Sequence, residues 1–507
     1  MSSAWPATDV ADSPYDSTTV ADTIIRSSDN VHFYVLGGLL RFVSPFFRDM
    51  FDLNHGPAAE QTEKRDGLPI IPLPEEDSAT IRLLLDFLYP CVKEPQLYDV
   101  ELLWKVGKAV KKYCMDIIEN KLIYRIVESK LIDQQPLSIY AVATDLEWED
   151  VANSAARKTL KIPLKSLPYV EELQSITGTD FYRFLEYRLR YDRSAQPEEE
   201  KLATAFTSAS TADAVDSQVS SHMVEDLPCR FRPSPIADLI LCSSDSVEFF
   251  VTSGMIRAVS PVFDKMFPLK DHGSKDGRPV IFVQEIGKVL HQLLRILYHD
   301  VDELEIDDYR TYMGVVTAAR RYEMTAIERK LQRQVQKSAL VLKEPLRIYL
   351  LAARLGWKDV EKIAALNTLS RSLQEMVYIA ELDLVTGADL YRLVHFRFQC
   401  EDEAYGALQA DENFVSYGVD NWDGYRRARP GYYYNYSTSD EVSDWQAKLR
   451  ARPRGSTMTD IYEKKIREIR NRGGGTYELS FDAFTGIIKC ARDAEKVVED
   501  AVSKVIF

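Results

Sequence analysis

The sequence predicts an α+β protein made of two copies of one module. Each copy is expected to be a small three-stranded sheet packed with helices, followed by a helical extension, and a further region ends the chain. Residues 22–51 align without a gap to residues 238–267, and 16 of the 30 positions are identical, where chance would give roughly two. In each copy a short strand-like pattern precedes a long pattern of helical period. The unit of about 170 residues is far longer than a solenoid repeat, so we infer a duplicated module.

Length and composition are those of an ordinary globular protein. The chain has 507 residues, of which 45% are hydrophobic and 28% charged, and this length accommodates two to four domains. The net charge of −15 argues against a nucleic-acid-binding surface over the whole protein. The chain contains no run of 18 apolar residues, and its N-terminal residues lack the pattern of a secretory signal. We therefore expect a cytoplasmic or nuclear protein that is neither secreted nor inserted in a membrane.

The first elements of each copy are two short strands. The stretch TIIRSSDNVHFYV has a Ser-Ser-Asp-Asn turn between two alternating segments, which is the pattern of a hairpin. Alternate residues of the second strand share one face of the sheet; they are Val31, Phe33 and Val35, and in the second copy Val247, Phe249 and Val251.

A helix with a Ser-Pro start follows in both copies, as VSPFFRDMF and VSPVFDKMF. The serine hydroxyl can accept from a free backbone N–H, and proline suits the first helical position, so we predict a structural cap at Ser44-Pro45 and at Ser260-Pro261. A proline-directed phosphorylation site at Ser44 is the alternative. The predicted buried core of the repeat consists of Phe33, Phe47, Met50, Phe51, Phe249, Phe263, Met266 and Phe267.

A third strand and a long helical part complete each copy. LPIIPL and RPVIFV have the composition of strands. Apolar residues then recur at helical spacing, for example at Ile81, Leu84, Leu85 and Leu88. Helical patterns continue to about Arg190 in the first copy and Gln399 in the second.

These segments resemble a known family. The strand hairpin, SPFFRDMF, the third strand and LLLDFLYP resemble the BTB/POZ domain. DGLP before the third strand, with PLxIYxxAxxLxW further on, resembles the BTB proteins expanded in mushroom-forming (basidiomycete) fungi. The helical part resembles the BACK-type extension of many BTB proteins. The resemblance implies BTB/POZ-like domains at 22–115 and 230–324, with helical extensions at 116–192 and 325–400.

The resemblance also implies a non-enzymatic adaptor that binds other proteins through its BTB-like domains. Such domains form homodimers or heterodimers, recruit transcriptional regulators, or bridge substrates to cullin-type ubiquitin ligases. We expect no catalytic, cofactor-binding or metal-binding residues and no cofactor. The sequence contains neither a phosphate-binding G-x-x-x-x-G-K-[ST] loop nor an H-E-x-x-H motif, and its seven histidines show no ligand spacing.

The sequence departs from the family at the sites that bind partners. The usual His-Lys pair falls on Leu36-Gly37 and on Thr252-Ser253, so the basic side chain of the family's charged pocket is missing. The hydrophobic-x-Glu segment expected for cullin binding has no clear match, although Glu60 and Glu63 lie in a predicted loop. Neither copy is preceded by the pattern of an amphipathic helix, so we expect the long N-terminal dimerisation helix of the family to be missing.

The remaining segments are predicted connectors and a tail. Residues 1–21 and 193–229 have the composition of flexible segments. A linker of about 37 residues spans roughly 30–37 Å as a flexible coil, so we expect the two modules to pair within one chain, as a compact monomer. Residues 401–507 form a basic, Tyr-rich region: residues 421–472 contain 12 Lys or Arg against seven Asp or Glu. Two interpretations stay open for it, a tail packed on the second module and a nucleic-acid-binding segment of a transcriptional regulator.

Overall fold

The computed structural model describes residues 9–53, 63–89, 95–193, 231–267, 274–298, 308–410, 446–472 and 481–507. The chain divides into two compact units, and each contains one copy of the repeat. The predicted linker lies outside the described residues, apart from Arg193 at its start. The α+β class is confirmed, because each unit combines a small mixed sheet with many helices.

The sheet of the first module has five strands, in the order β1-β3-β2-β5-β4. Strands β2 and β3 form the predicted antiparallel hairpin, while β5 pairs parallel to β2. The strands are β1 Asp9–Val10, β2 Thr23–Arg26, β3 Val31–Val35, β4 Lys64–Arg65 and β5 Leu68–Pro72. The second module repeats this sheet without a counterpart of β1, in the order β7-β6-β9-β8. Its strands are β6 Leu239–Cys242, β7 Glu248–Val251, β8 Ser274–Lys275 and β9 Arg278–Phe282.

The prediction of three strands per sheet was therefore wrong. One additional strand in each module comes from a tight turn at Asp66-Gly67 and at Asp276-Gly277. All four turn residues have positive φ, from 52° to 81°, which is the geometry of a two-residue hairpin turn with an Asp-Gly sequence. This turn reverses the chain and adds a two-residue strand beside the predicted third strand.

The prediction of a flexible segment over residues 1–21 fails for residues 9–21. Strand β1 pairs parallel to β3, and Tyr15 is fully buried against Phe33 and Tyr89. In the second module Phe231 takes the place of Tyr15, at the same offset of 216, and packs on Phe249. The repeat thus begins upstream of residue 22, where one aromatic side chain in each copy packs on the phenylalanine of the second hairpin strand.

Nine helices of the first module lie among the described residues. The hairpin α1–α2 and the helices α3 and α4 pack with the sheet: α1 Gly37–Val43, α2 Pro45–Leu53, α3 Ser78–Leu88 and α4 Val100–Lys112. The helical extension consists of α5 Asp116–Glu128, α6 Leu131–Gln134, α7 Pro136–Asp145, α8 Glu149–Thr159 and α9 Gly178–Arg193. Two 3₁₀ turns, Leu164–Ser166 and Glu171–Gln174, connect α8 to α9.

The helices of the second module follow the same order. They are α10 Ser253–Val259, α11 Pro261–Met266, α12 Gly287–Leu297, α13 Tyr309–Arg321, α14 Thr325–Val335, α15 Leu340–Lys343, α16 Pro345–Leu355, α17 Lys358–Thr368 and α18 Gly387–Ala410. The 3₁₀ turns Leu373–Glu375 and Ala380–Leu384 precede α18. The long helical segment expected after residue 308 is broken at Glu323, which has φ of 53°; Cys114 has the same φ at the equivalent break between α4 and α5.

The described part of the C-terminal region is helical and packs on the second module. A short helix spans 446–451, followed by α19 Gly455–Arg472 and α20 Phe481–Lys504. The ring of Phe507 meets Phe396 and Tyr349 edge-on, with ring centroids 4.9 and 5.9 Å apart. The Tyr-rich stretch 432–436 lies outside the described residues. None of the helices within the described ranges is long and apolar enough to cross a membrane.

Candidate protein-interaction site

The Ser-Pro phrase forms the corner between two helices in both modules. Ser44 ends α1, and its Oγ accepts a hydrogen bond of 3.1 Å from the backbone N–H of Phe47 at the start of α2. In the second module Ser260 Oγ accepts from Phe263 N–H at 3.2 Å. Both serines are fully buried, with no exposed surface. A kinase could not reach the Ser44 hydroxyl in this conformation, so the geometry favours the cap over the phosphorylation site.

The same hydroxyl makes a second, long-range contact. Ser44 Oγ donates to the main-chain oxygen of Tyr113, just after α4, at 2.5 Å, and Ser260 Oγ donates to that of Tyr322 at 2.6 Å. The ring of each tyrosine packs on the buried phenylalanine of the Ser-Pro helix, at 5.1 Å for Phe47 and 4.6 Å for Phe263. The corner between α1 and α2 is therefore fixed to the end of α4, and its counterpart to the end of α13.

Four of the eight predicted core residues lie in the core. Phe33, Phe47, Phe249 and Phe263 are at most 2% exposed. These four come from the strand alternation and from the first turn of the Ser-Pro helix, where the chain faces the sheet and α4 or α13.

The other four residues lie at or near the end of the Ser-Pro helix, and their predicted burial has to be corrected. Met50, Phe51 and Phe267 are half-buried, and Met266 is 36% exposed. The guanidinium groups of Arg41 and Arg257 lie over the rings of Phe51 and Phe267, at 5.5 and 5.0 Å. Residue spacing places these side chains on the same face as the buried phenylalanine. Near the end of the helix, however, other elements cover this face only partly.

An aspartate before the first hairpin strand caps the helix that follows the hairpin in both modules. Asp22 Oδ1 accepts from the backbone N–H of Gly37 at 2.6 Å, at the start of α1. Asp238 accepts from Ser253 in the same way, from its N–H at 2.6 Å and from its hydroxyl at 2.7 Å. The partial positive charge of each helix N-terminus is therefore met by a carboxylate of the same module.

Little space is left for a side chain at Gly37. A Cβ at Gly37 would lie 2.9 Å from Thr23 Oγ1 and 3.1 Å from Asp22 Oδ1. Sequence reasoning missed this arrangement, although Asp22 and Asp238 are identical in the alignment and are the first pair in it.

The α1–α2 hairpin of the first module presents exposed aromatic side chains. Phe42 is 79% exposed and Phe46 is 43% exposed, and we call these two residues the aromatic face. The equivalent residues of the second module are Ala258 and Val262. Exposed aromatic side chains are enriched where proteins bind other proteins, and the second module has smaller side chains at these two positions.

The loops in which a hydrophobic-x-Glu segment would lie, after Phe51 and after Phe267, are only partly described. Glu60 and the loop after Phe267 lie outside the described residues. Glu63 forms an ion pair with Arg26 at 2.8 Å, so its carboxylate is engaged within the module.

A buried arginine holds each helical extension together. Arg188, on α9, donates to the main-chain oxygens of Thr159 and Ile162 at the end of α8. Arg397, on α18, makes the equivalent bonds at the end of α17 and also donates to the oxygen of Ala451 in the C-terminal region. Burial lowers the pKa of Arg397 to about 10. Both arginines end the motifs TGTDFYRFLEYR and TGADLYRLVHFR, so their recurrence was visible in the sequence.

Comparison with known proteins decides the type of module. The family model of the BTB/POZ domain matches residues 12–129 and again residues 231–339. The chain carries two BTB/POZ domains. The matches begin at the segments that contain Tyr15 and Phe231, in agreement with the packing of these rings in the core of each module. No curated protein matches the chain. The likeness to the fungal group and to BACK-type extensions stays a prediction.

The BTB/POZ assignment gives the exposed aromatic face a context. BTB/POZ domains generally mediate protein–protein interaction and are generally not enzymes. Within the described ranges, no three His, Cys, Asp or Glu side chains come together as a metal site would require.

Proposed function

We propose that the protein is a non-enzymatic adaptor that binds other proteins through its tandem BTB/POZ domains. The observation that carries this proposal is the exposed aromatic face, Phe42 and Phe46, on the first of two BTB/POZ domains in one chain. Two interaction domains in one chain can hold two partners together. Since Ala258 and Val262 replace the two phenylalanines, the domains present different surfaces, and we expect them to prefer different partners.

The test uses the full-length chain. Phe42→Asp with Phe46→Asp removes the aromatic face, and Tyr98→Asp, at a side chain that is 75% exposed elsewhere on the first module, is the matched control. Quantitative affinity purification from the source cells should recover at least one protein in near-stoichiometric amount with the wild type and the Tyr98 variant. The aspartate variant should lose it. Equal recovery with all three chains, or no stoichiometric partner, would contradict the proposal.

Pairing of the two domains within one chain is a finer part of the proposal. It rests on the linker length and on the retained family fold, and it predicts a monomer of 58.0 kDa at micromolar concentration. Light scattering after size exclusion measures this mass directly, and small-angle scattering shows whether the chain is compact. A stable species of twice that mass, or an extended two-lobed profile, would contradict intramolecular pairing but leave the adaptor role intact.

A substrate adaptor of a cullin-type ligase is the first alternative. The hydrophobic-x-Glu segment has no clear match in either copy, and Glu63 is paired with Arg26. We therefore expect weak or no cullin binding. Co-purification of a cullin scaffold with micromolar or tighter affinity would favour this alternative.

A nucleic-acid-associated regulator is the second alternative, based on the C-terminal region. Several arginines of its described part already form ion pairs: Arg450 with Glu401, Arg452 with Asp460, Arg454 with Glu499 and Arg467 with Glu463. These pairs reduce the positive charge available to phosphates. Substituting Arg426, Arg427 and Arg429 by glutamine tests the remaining cluster, and we expect retention on heparin to change little.

A further inference from the structure

A small apolar pocket lies on the helical extension of the second module. It has a volume of about 130 Å³ and lies between the start of α16, the 3₁₀ turn Leu373–Glu375 and α18. Its apolar lining includes Pro345, Leu346, Leu373, Met376, Leu393 and Val394. An engineered apolar cavity of about 150 Å³ holds one benzene molecule, so this pocket has room for one leucine or phenylalanine side chain.

The first module has a larger side chain at the position of the pocket residue Leu393. At the offset of 209, Leu393 corresponds to Phe184. Phe184 is fully buried, and its ring packs on Phe181 and Tyr140 with centroids 5.6 and 4.9 Å apart. Leucine is smaller than phenylalanine, so the side chain at this position takes up less volume in the second module.

An exposed arginine lies at the rim. Arg371 is exposed, and its guanidinium donates to the main-chain oxygen of Lys343 at 3.1 Å. Within the described part of the chain Arg371 forms no ion pair, whereas its counterpart in the first module is Ile162.

The carboxylates around the rim already have partners. Glu375 accepts from the backbone N–H of Ser372 at 2.9 Å, and Glu344 pairs with Arg347 at 3.4 Å. Three arginines line the pocket, Arg347, Arg371 and Arg397, against the two glutamates, so the lining favours an added negative charge next to an apolar group. Val377, 70% exposed, adds apolar surface at the mouth.

We propose that this pocket binds a segment of a partner polypeptide that inserts one leucine- or phenylalanine-sized side chain and places a neighbouring carboxylate on Arg371. The pocket encloses one side chain, and the charged rim lies beside it, which matches two adjacent residues of a peptide. The site goes beyond the proposed adaptor function, because it lies outside the segment 231–339 that matches the BTB/POZ domain. It gives the second module a binding site on its helical extension.

Selection from phage-displayed random dodecapeptides on the immobilised full-length chain tests the site. Enriched peptides should share a large apolar residue next to Asp or Glu. Leu393→Phe, which copies the first module, and Arg371→Glu, which reverses the rim charge, should each weaken binding of the enriched peptides roughly tenfold or more. Arg333→Glu, at an exposed arginine on α14, is the matched charge control and should bind like the wild type.

Several outcomes would overturn the proposal. They are the absence of enrichment, a consensus with basic residues beside the apolar one, and equal binding to wild type and Arg371→Glu. Arg371 is exposed, so its variant is expected to fold, and unfolding midpoints of all variants check this. Should Leu393→Phe unfold, the comparison of Arg371→Glu with Arg333→Glu still decides the question. Loss of the aromatic face at Phe42 and Phe46 should leave peptide binding unchanged, which separates this site from the proposed adaptor surface.

Discussion

The hydroxyl of Ser44 donates a hydrogen bond of 2.5 Å to the main-chain oxygen of Tyr113, 69 residues further along the chain. The same oxygen atom of Ser44 caps α2 through Phe47 N–H. One buried hydroxyl thus joins the helical corner to the end of α4, and Ser260 repeats both bonds with Tyr322 and Phe263. The Ser-Pro sequence recurs in the chain, and in each module it forms this junction between the helical corner and the helix after the third strand.

Removal of the Ser44 or Ser260 hydroxyl should lower the free energy of unfolding by more than the loss of an ordinary helix cap does. Ser44→Ala and Ser260→Ala each lose a cap, worth about 1 kcal/mol, and leave a buried carbonyl without its donor, which adds roughly 1–3 kcal/mol. We expect each variant to lower the free energy of unfolding by about 2–4 kcal/mol, measured by urea denaturation. Ser503→Ala, at an exposed serine on α20, is the control. A loss no larger than that of the control would contradict the junction.

Neighbouring phenylalanines of the Ser-Pro helix should respond differently to truncation. Phe47→Ala and Phe263→Ala open cavities under Tyr113 and Tyr322, so each should lower the free energy of unfolding by about 3–5 kcal/mol. Phe46→Ala removes a ring that is 43% exposed and leaves no enclosed cavity, so it should lower the free energy of unfolding by less. Similar losses at positions 46 and 47 in thermal or urea melts would show that the helix is turned differently.

Much of the fold could be predicted from the repeat and from local pattern. The hairpin, the Ser-Pro cap and the helical period of α3 follow from side-chain chemistry within a few residues, and duplication supplies each pattern twice. Strand β1 could not be predicted in this way, because two residues are too few for a period. The core position of Tyr15 became recognisable only once Phe231 was found at the equivalent position of the second module.

The parts of the site that were missed depend on backbone atoms or on helix ends. The acceptor of Ser44 is the main-chain oxygen of Tyr113, and the donor to Asp22 is the N–H of Gly37; neither leaves a side-chain signature. Spacing also gives the face of a helix but not the point at which the neighbouring elements stop covering it. For this reason Met266 was assigned to the core although it is 36% exposed.

One turn differs between the modules in a way that separates backbone from side-chain effects. Gly356 follows α16 with φ of 74°, and its counterpart Glu147 follows α7 with φ of 56°. A Cβ at Gly356 would meet no atom within 4 Å, so Gly356→Ala changes only the backbone preference. Because L-residues disfavour this region, we expect Gly356→Ala to lower the free energy of unfolding by about 1 kcal/mol.

Glu147→Gly is the reciprocal change and should be close to neutral. Glycine relieves the backbone at this position, but it adds entropy to the unfolded chain and removes the exposed ion pair of Glu147 with Lys111. We expect a change within about 0.5 kcal/mol in urea denaturation. A loss at Gly356→Ala no greater than the effect of Glu147→Gly would show that the left-handed turn is not maintained in solution.

The two sheets use different polar pairs at the same place, which predicts a pH dependence. His32, on β3, is buried and lies 2.7 Å from Arg65, measured from Nδ1 to Nη1. In the second module the equivalent residues are Glu248 and Lys275, joined at 2.6 and 2.8 Å. Burial, and then the charge of Arg65, lowers the pKa of His32.

The sign of the effect follows from this direction. The unfolded chain binds a proton at His32 near the ordinary pKa of about 6.5, while the folded chain binds it only at lower pH. The contribution of neutral His32 to stability is therefore full above about pH 7 and is lost as the pH falls through the unfolded pKa toward the folded one.

Replacing His32 by a residue that does not bind a proton in this range should remove the loss of stability that occurs as the pH falls. His32→Glu copies the second module and places a carboxylate beside Arg65, and its free energy of unfolding relative to the wild type should rise from pH 7.5 to pH 5.5. His32→Gln, which cannot titrate, should show the same growth relative to the wild type without the added ion pair. Other histidines titrate in the same range, so the quantity to compare is the difference in free energy of unfolding between each variant and the wild type. A difference that stays constant or shrinks as the pH falls would mean that His32 is protonated in the folded protein and that the buried His–Arg pair is absent.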